Sequence, residues 1–288
     1  MSSAQIPDEV AATLEALDPA TQLGAIAEIA LNPASSLSER TVYALARCVG
    51  AESKAVGRRA AEAAALVAAH DPRIAPAIRA LLEESSPRAR FGAAYALGLI
   101  GGAQFDLRAA DALYQALGDA DGDVRWAAHD LILRLGGAHP PQVRSGLLAL
   151  ARDGREDNGD ARKMALYCLR DLGPESRDVL DAARAASTAA DAHVRLASLA
   201  ILARAPAYRR EAAAIAMRML ETDPQPGVRR AAAAALGLIG ELSLEVLEAL
   251  GRAAARETDS ALARAASAAI TRLTGGLSDE PKSDRTPR

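Results

Sequence analysis

Apolar residues recur along this chain at intervals of three and four, the spacing of one face of an α-helix. The segment "ARFGAAYALGLIG" from Ala89 returns as "VRRAAAAALGLIG" from Val228. Between them fit "VRWAAHDLILRLG" from Val124, "ARKMALYCLRDLG" from Ala161 and "VRLASLAILARAP" from Val194. With the shared arginine as position zero, the register is Arg90, Arg125, Arg162, Arg195 and Arg229, at spacings of 35, 37, 33 and 34 residues. Position +3 is alanine or serine, +7 is Leu97, Ile132, Leu169, Leu202 and Leu236, and +10 is isoleucine, leucine or alanine. At about 100° per residue, −1, +3, +7 and +10 lie on one face, which predicts a buried stripe on each helix.

The phrase ends at +11 with Gly101, Gly136, Gly173 or Gly240, where glycine takes the left-handed conformation that closes a helix; Pro206 stands there in the remaining copy. Turns rich in capping residues precede each phrase, such as Asp119, Asp121 and Asp123, or Asp157 and Asp160. Between phrases lies a second helical segment, for example "IAPAIRALLEES" or "SLEVLEALGRAAARE". The predicted unit is helix, turn, helix, and repeats of this length stack into an all-α solenoid of antiparallel helix pairs. Aromatics are 3% of the chain and half of it is apolar, with abundant alanine, which favours helix over sheet.

The copies degrade toward the ends. "GRRAAEAAALVAA" places Leu66 at +7 with Arg59 as zero and Glu62 at +3, and "LARAASAAITRL" aligns with Ala263 at zero. Residues 1–36 read as a helical cap, 37–275 as the repeat solenoid and 276–288 as a disordered tail with almost nothing to bury.

The aspartate-rich turn followed by this phrase resembles the HEAT repeat, specifically the short form of phycobilin lyase subunits. That resemblance implies a right-handed superhelix whose second helices line the concave side. It also implies that the leading arginines, Arg90, Arg125, Arg162, Arg195 and Arg229, form an internal ladder with turn aspartates.

If −1, +3, +7 and +10 face inward, +1, +5 and +8 face away, with +4 beside them. Those positions hold Phe91 and Tyr95, then Trp126, Asp130 and Leu133 with His129 alongside, then Lys163, Tyr167 and Arg170. Four of the eight aromatics fall on this stripe, within three consecutive repeats. Aromatic and arginine side chains dominate binding hot spots, so Phe91, Tyr95, Trp126, His129, Asp130, Lys163, Tyr167 and Arg170 form a candidate surface for a protein or peptide partner. The other reading is a groove closed on itself, with the rings as a second core.

The formal net charge is −3, and lysine occurs only at Lys54, Lys163 and Lys282, a balance that favours neither nucleic acid nor a membrane surface. No apolar run is long enough to span a bilayer, and the amino terminus lacks the basic and apolar regions of a signal peptide. A soluble, cytoplasmic monomer is expected. Similar repeats in deoxyhypusine hydroxylase carry His-Glu iron ligands at +1 and +2. Here those pairs are Phe91-Gly92, Trp126-Ala127, Lys163-Met164, Leu196-Ala197 and Arg230-Ala231, none of which binds iron. His129 and His193 are two repeats apart, about 20 Å at ordinary helix spacing, too far to share a metal. His70, His139, Cys48 and Cys168 make no close-spaced motif. A non-catalytic scaffold without cofactor or metal is the leading expectation. Two enzymatic readings stand beside it: a tetrapyrrole chaperone or lyase subunit holding a planar ligand between aromatic walls, and a HEAT-like DNA glycosylase using Trp126 and Asp130.

Overall fold

The computed structural model describes residues 9–16, 18–101, 108–155, 158–255 and 260–275; Asp157 and the 276–288 tail lie outside the described residues. Among the described residues there are sixteen α-helices and no β-strand. They are α1 (Glu9–Leu14), α2 (Pro19–Leu31), α3 (Glu39–Val49), α4 (Lys54–Ala68), α5 (Ile74–Ala80), α6 (Pro87–Ile100), α7 (Arg108–Ala116) and α8 (Gly122–Ala138). The remainder are α9 (Pro140–Arg152), α10 (Gly159–Asp171), α11 (Arg177–Ala186), α12 (Ala192–Leu202), α13 (Arg209–Thr222), α14 (Pro226–Ile239), α15 (Leu244–Ala254) and α16 (Ser260–Gly275). The chain divides into two compact units, 1–146 and 147–288, with the division inside α9.

In the first unit the even-numbered helices stack as α2 on α4, α4 on α6 and α6 on α8, while α1, α3 and α5 stack beside them. In the second, α10, α12, α14 and α16 stack in the same order, and α13 packs on α15. Each unit is therefore a run of helical pairs in which an element meets its chain neighbour and its counterpart one repeat away, the local connectivity of a solenoid.

The predicted core stripe is the buried one. Ala93, Ala128, Ala165, Ser198 and Ala232 at +3 are fully enclosed, as are Leu97, Ile132, Leu169 and Leu202 at +7. Small side chains at +3 are what closely spaced helix axes require. Helix starts are fixed by the turn residues: Ser86 accepts a hydrogen bond from the Ala89 N–H at 3.3 Å, Asp121 from Asp123 at 3.0 Å and Asp191 from His193 at 2.7 Å. At the far ends Gly101, Gly173 and Gly240 have φ of 74°, 112° and 70°.

Three details differ from the pattern read in sequence. Gly136 does not stop its helix: α8 continues to Ala138, and Gly136 is buried within it. Position +8 does not face away from the core throughout. Gly98 and Gly237 there are buried, and a Cβ on Gly98 would lie 2.4 Å from Leu131 Cδ2, while one on Gly237 would lie 3.0 Å from Ala269 Cα. At this position the next stacked helix passes.

The third concerns α4. Leu66 is 50% exposed, whereas Val56, Ala60, Ala64 and Val67 are completely buried. These four occupy −1, +3, +7 and +10 when Gly57, not Arg59, is position zero, 33 residues before Arg90. The cap at Ser53 then stands four residues before zero, as Ser86 does in the next repeat. Alanine at +7 weakened the hydrophobic signal enough to let Leu66 claim the register. By the same rule α2 has Gln22 at zero, with Ala25 and Ile29 buried at +3 and +7.

Candidate partner-binding groove

The side chain at position zero reaches back to the turn that precedes its helix. Through Nη1, Arg90 donates to the carbonyls of Glu84 and Ser85 (2.7 Å each), and Arg125 to those of Asp119 and Ala120 (2.6 and 3.1 Å). Arg195 does so to Ala189 and Ala190 (2.8 and 2.7 Å), and Arg229 to Asp223 and Pro224 (2.8 and 3.3 Å). The recurring partners are thus backbone oxygens five and six residues earlier. For Arg162 the corresponding carbonyls, at 156 and 157, lie outside the described residues; its Nε donates to Ala151 O at 3.3 Å, and Gln22 donates to Leu14 O at 2.9 Å. A rung to an aspartate of the following turn forms at Arg195, whose Nε and Nη2 donate to Asp223 at 2.7 and 3.0 Å. Among the described residues, four of the five position-zero arginines are forks closing the preceding turn, and one of these, Arg195, also makes the aspartate rung.

In the first unit, the starts of α4, α6 and α8 border a groove of about 560 Å³. Phe91 and Tyr95, one turn apart on α6, line it with ring centroids 6.2 Å apart and planes tilted by 31°. Val49, Ala55, Val124 and Ala127 extend the apolar lining. Gly92 admits the end of α3: a Cβ there would stand 2.3 Å from Val49 O. Lys54, Arg58, Arg88, Asp119 and Asp123 provide the charged part of the lining. Lys54 is ion-paired with Asp121, and Arg88 donates to Glu52 O at 3.1 Å.

The eight residues of the sequence-derived stripe fall into three local clusters. Phe91 and Tyr95 are half-buried in the groove. On α8, Trp126 is 52% exposed and lies edge-on to His129, with ring centroids 5.2 Å apart. Sequence placed His129 beside the outward positions, but its ring is buried, and its Nδ1 lies 3.2 Å from Asp130 Oδ1. The buried imidazole thus meets the indole edge to face, and Asp130 is exposed. In the second unit Tyr167 lies under the Arg170 guanidinium, 4.9 Å from the ring centroid, and Asp171 holds that guanidinium through a 2.7 Å hydrogen bond. Lys163 is paired with Asp160 on the same helix.

The groove residues Val49, Lys54, Gly57 and Asp123 were not singled out as a site in the sequence. The signal for Gly57 was the serine four residues earlier, hidden by the misread register of α4. Among the described residues, no group of three His, Cys, Asp or Glu side chains is placed to hold a metal ion. Both cysteines are buried, and burial pushes the Cys48 thiol up to about 11. No helix among the described residues is long and apolar enough to cross a membrane.

Helical pairs in register, with position-zero side chains closing their turns, define an all-α repeat protein of the solenoid class. Residues 46–132 match the family model described as HEAT repeats. No curated protein matches the chain. Among solved structures, a Kap121p mutant is similar at TM-score 0.61 and 14% identity, over 92% of this chain and 33% of that one. Kap95p, which binds RanGDP, is similar at 0.56 and 14%, over 94% of this chain and 44% of that one. This chain therefore spans less than half of either protein. The YibA protein of Escherichia coli is similar at 0.54 and 15%, over 93% and 92% of the two chains. An archaeal HEAT-like repeats protein from Thermococcus onnurineus is similar at 0.50 and 15%, over 82% and 98%. These likenesses concern the fold.

Proposed function

We propose that this protein is a non-catalytic, cytoplasmic, monomeric scaffold that binds a protein or peptide partner on its even-numbered helices. Phe91 and Tyr95 form the floor of the contact and Trp126 is an exposed anchor, oriented by His129 and flanked by Asp130. Lys163, Tyr167 and Arg170 supply a separate contact on the second unit. The observation that carries this reading is the groove itself: about 560 Å³ of largely apolar space beside a helix that presents a half-exposed tryptophan. Indole and phenol rings combine large contact area with a polar handle, and exposed apolar surface of this kind marks interaction sites. The similarity to Kap95p, a protein that binds RanGDP, agrees with this reading.

The test is a quantitative binding comparison between wild-type protein and Trp126→Ala, with a partner recovered on the wild type and then purified. Because the indole is half-exposed, its loss leaves helicity intact. Binding is expected to weaken by about 2 kcal/mol or more, roughly thirtyfold. A variant that binds equally well removes Trp126 as the anchor. Salt-sensitive retention of DNA, or a visible chromophore on the purified protein, would replace the scaffold reading with one of the enzymatic alternatives.

A further inference from the structure

The groove lies where the repeat pattern lacks its arginine. Among the described residues, four repeats place an Nη1 against the carbonyls five and six residues before position zero. In α4 position zero is Gly57, and the corresponding carbonyls belong to Ala51 and Glu52. Arg88 takes the Glu52 oxygen. The Val49 and Ala51 oxygens lie 3.0 and 3.9 Å from where a Cβ on Gly57 would be, and both residues line the groove. Among the described residues, no hydrogen bond reaches either oxygen. Val49 is the last residue of α3, so its oxygen also carries the negative end of that helix dipole.

We propose that the groove receives an arginine side chain from the partner, whose guanidinium approaches the Ala51 and Val49 oxygens beside Gly57. This rests on reading the groove as a partner site, and it specifies the chemistry of what enters. A guanidinium has a planar fork of donors that can serve two carbonyls at once, as the four arginines of this chain do, whereas an ammonium is a single point charge. Phe91 and Tyr95 add aromatic faces to the same space, and such faces attract cations. Charge favours the same occupant. The lining cations Lys54, Arg58 and Arg88 pair with Asp121, Glu62 and Glu52, although Arg58 shares Glu62 with Arg59. For Asp119 and Asp123, which also line the groove, no ion pair occurs among the described residues.

The probe is a capped Ala-Ala-Arg-Ala-Ala peptide, titrated into the full-length protein and followed through its backbone amide resonances. Citrulline and glutamate versions are the controls; citrulline keeps the shape of arginine without its charge. The arginine peptide is expected to shift the Gly57, Gly92 and Ala127 amides saturably. The citrulline peptide should bind about tenfold more weakly, the loss of one charge-assisted fork, and the glutamate peptide should leave these amides unmoved. Asp123→Asn, at an exposed position, should weaken the arginine peptide severalfold, and Gly57→Arg should block it by supplying the guanidinium from within. If Gly57→Arg fails to fold, the Asp123→Asn comparison decides. Equal binding of citrulline, preference for glutamate, indifference to Asp123→Asn, or no saturable shift at millimolar peptide would each overturn the proposal. Should the purified partner still depend on Trp126 while the arginine peptide fails, this inference falls and the scaffold reading stands.

Discussion

Arg195 and Asp223 form the most enclosed ion pair among the described residues, with side chains 8% and 3% exposed. Burial alone would raise the carboxyl pKa. The Arg195 fork, the Gln225 N–H and the nearby Arg229 outweigh burial, so Asp223 sits below the usual aspartate value. A pKa lowered by folding contributes stability that is present above the unfolded value, about 3.9, and is lost as pH falls through the folded one. Asp223→Asn is therefore expected to lower stability at neutral pH and to flatten its decline below about pH 4, as read by urea unfolding at a series of pH values. Removing one partner of a buried pair costs about 3–5 kcal/mol, because it strands the other charge. At two other positions the rung is missing for local reasons: Ala189 stands where Arg162 would need an acid, and Arg90 turns its Nη2 to Gln115 Oε1 at 2.7 Å; the acids that would face Arg125 and Arg229, Glu156 and Glu257, lie outside the described residues.

At the scale of the helix, glycine has opposite roles at two similar-looking positions. Gly92 in α6 faces Val49 O at a distance no Cβ tolerates, whereas a methyl group added at Gly251 in α15 would meet nothing within 4 Å. Alanine in a helix interior is ordinarily better than glycine by about 0.5–1 kcal/mol, so Gly251→Ala should raise the thermal midpoint. Gly92→Ala should lower stability by about 1–3 kcal/mol, since the backbone of α3 must shift. The fold class and most of the core stripe were legible in sequence because leucine or isoleucine at +7 and small residues at +3 repeat in fixed register. The register of α4 was not, because Ala64 at +7 is indistinguishable from its alanine neighbours and only burial separates Val67 from Leu66. The groove was half legible: Phe91 and Tyr95 announced themselves by type, but a site formed at Gly57 by a missing side chain leaves no periodic mark. His129, read as flanking the outward stripe, is buried because +4 borders both faces, and its edge contact with the Trp126 ring is not visible in the periodicity.

At the scale of each compact unit, the decisive property is that stacked helices pack on counterparts one repeat away, as α2, α4, α6 and α8 do in the first and α10, α12, α14 and α16 in the second. Stability in such a stack is a sum of repeat terms and nearest-neighbour interfaces, so a lesion should be felt with a strength that fades along the chain. Leu97 at +7 of α6 is completely buried, and truncating a residue of that kind to alanine costs about 2–5 kcal/mol. In Leu97→Ala, amide exchange should accelerate most in α6, next in its packing neighbours α4, α5, α7 and α8, and least in α14 and α16, which belong to the other unit. A uniform acceleration across all sixteen helices would instead show that the chain opens as one cooperative block. The same gradient bears on binding: since the groove is assembled from three consecutive even-numbered helices, its geometry is set by two interfaces, α4 with α6 and α6 with α8. Loosening either should weaken partner binding more than an equal destabilisation placed in α14, and comparing Leu97→Ala with Leu236→Ala at matched folded fraction measures that difference.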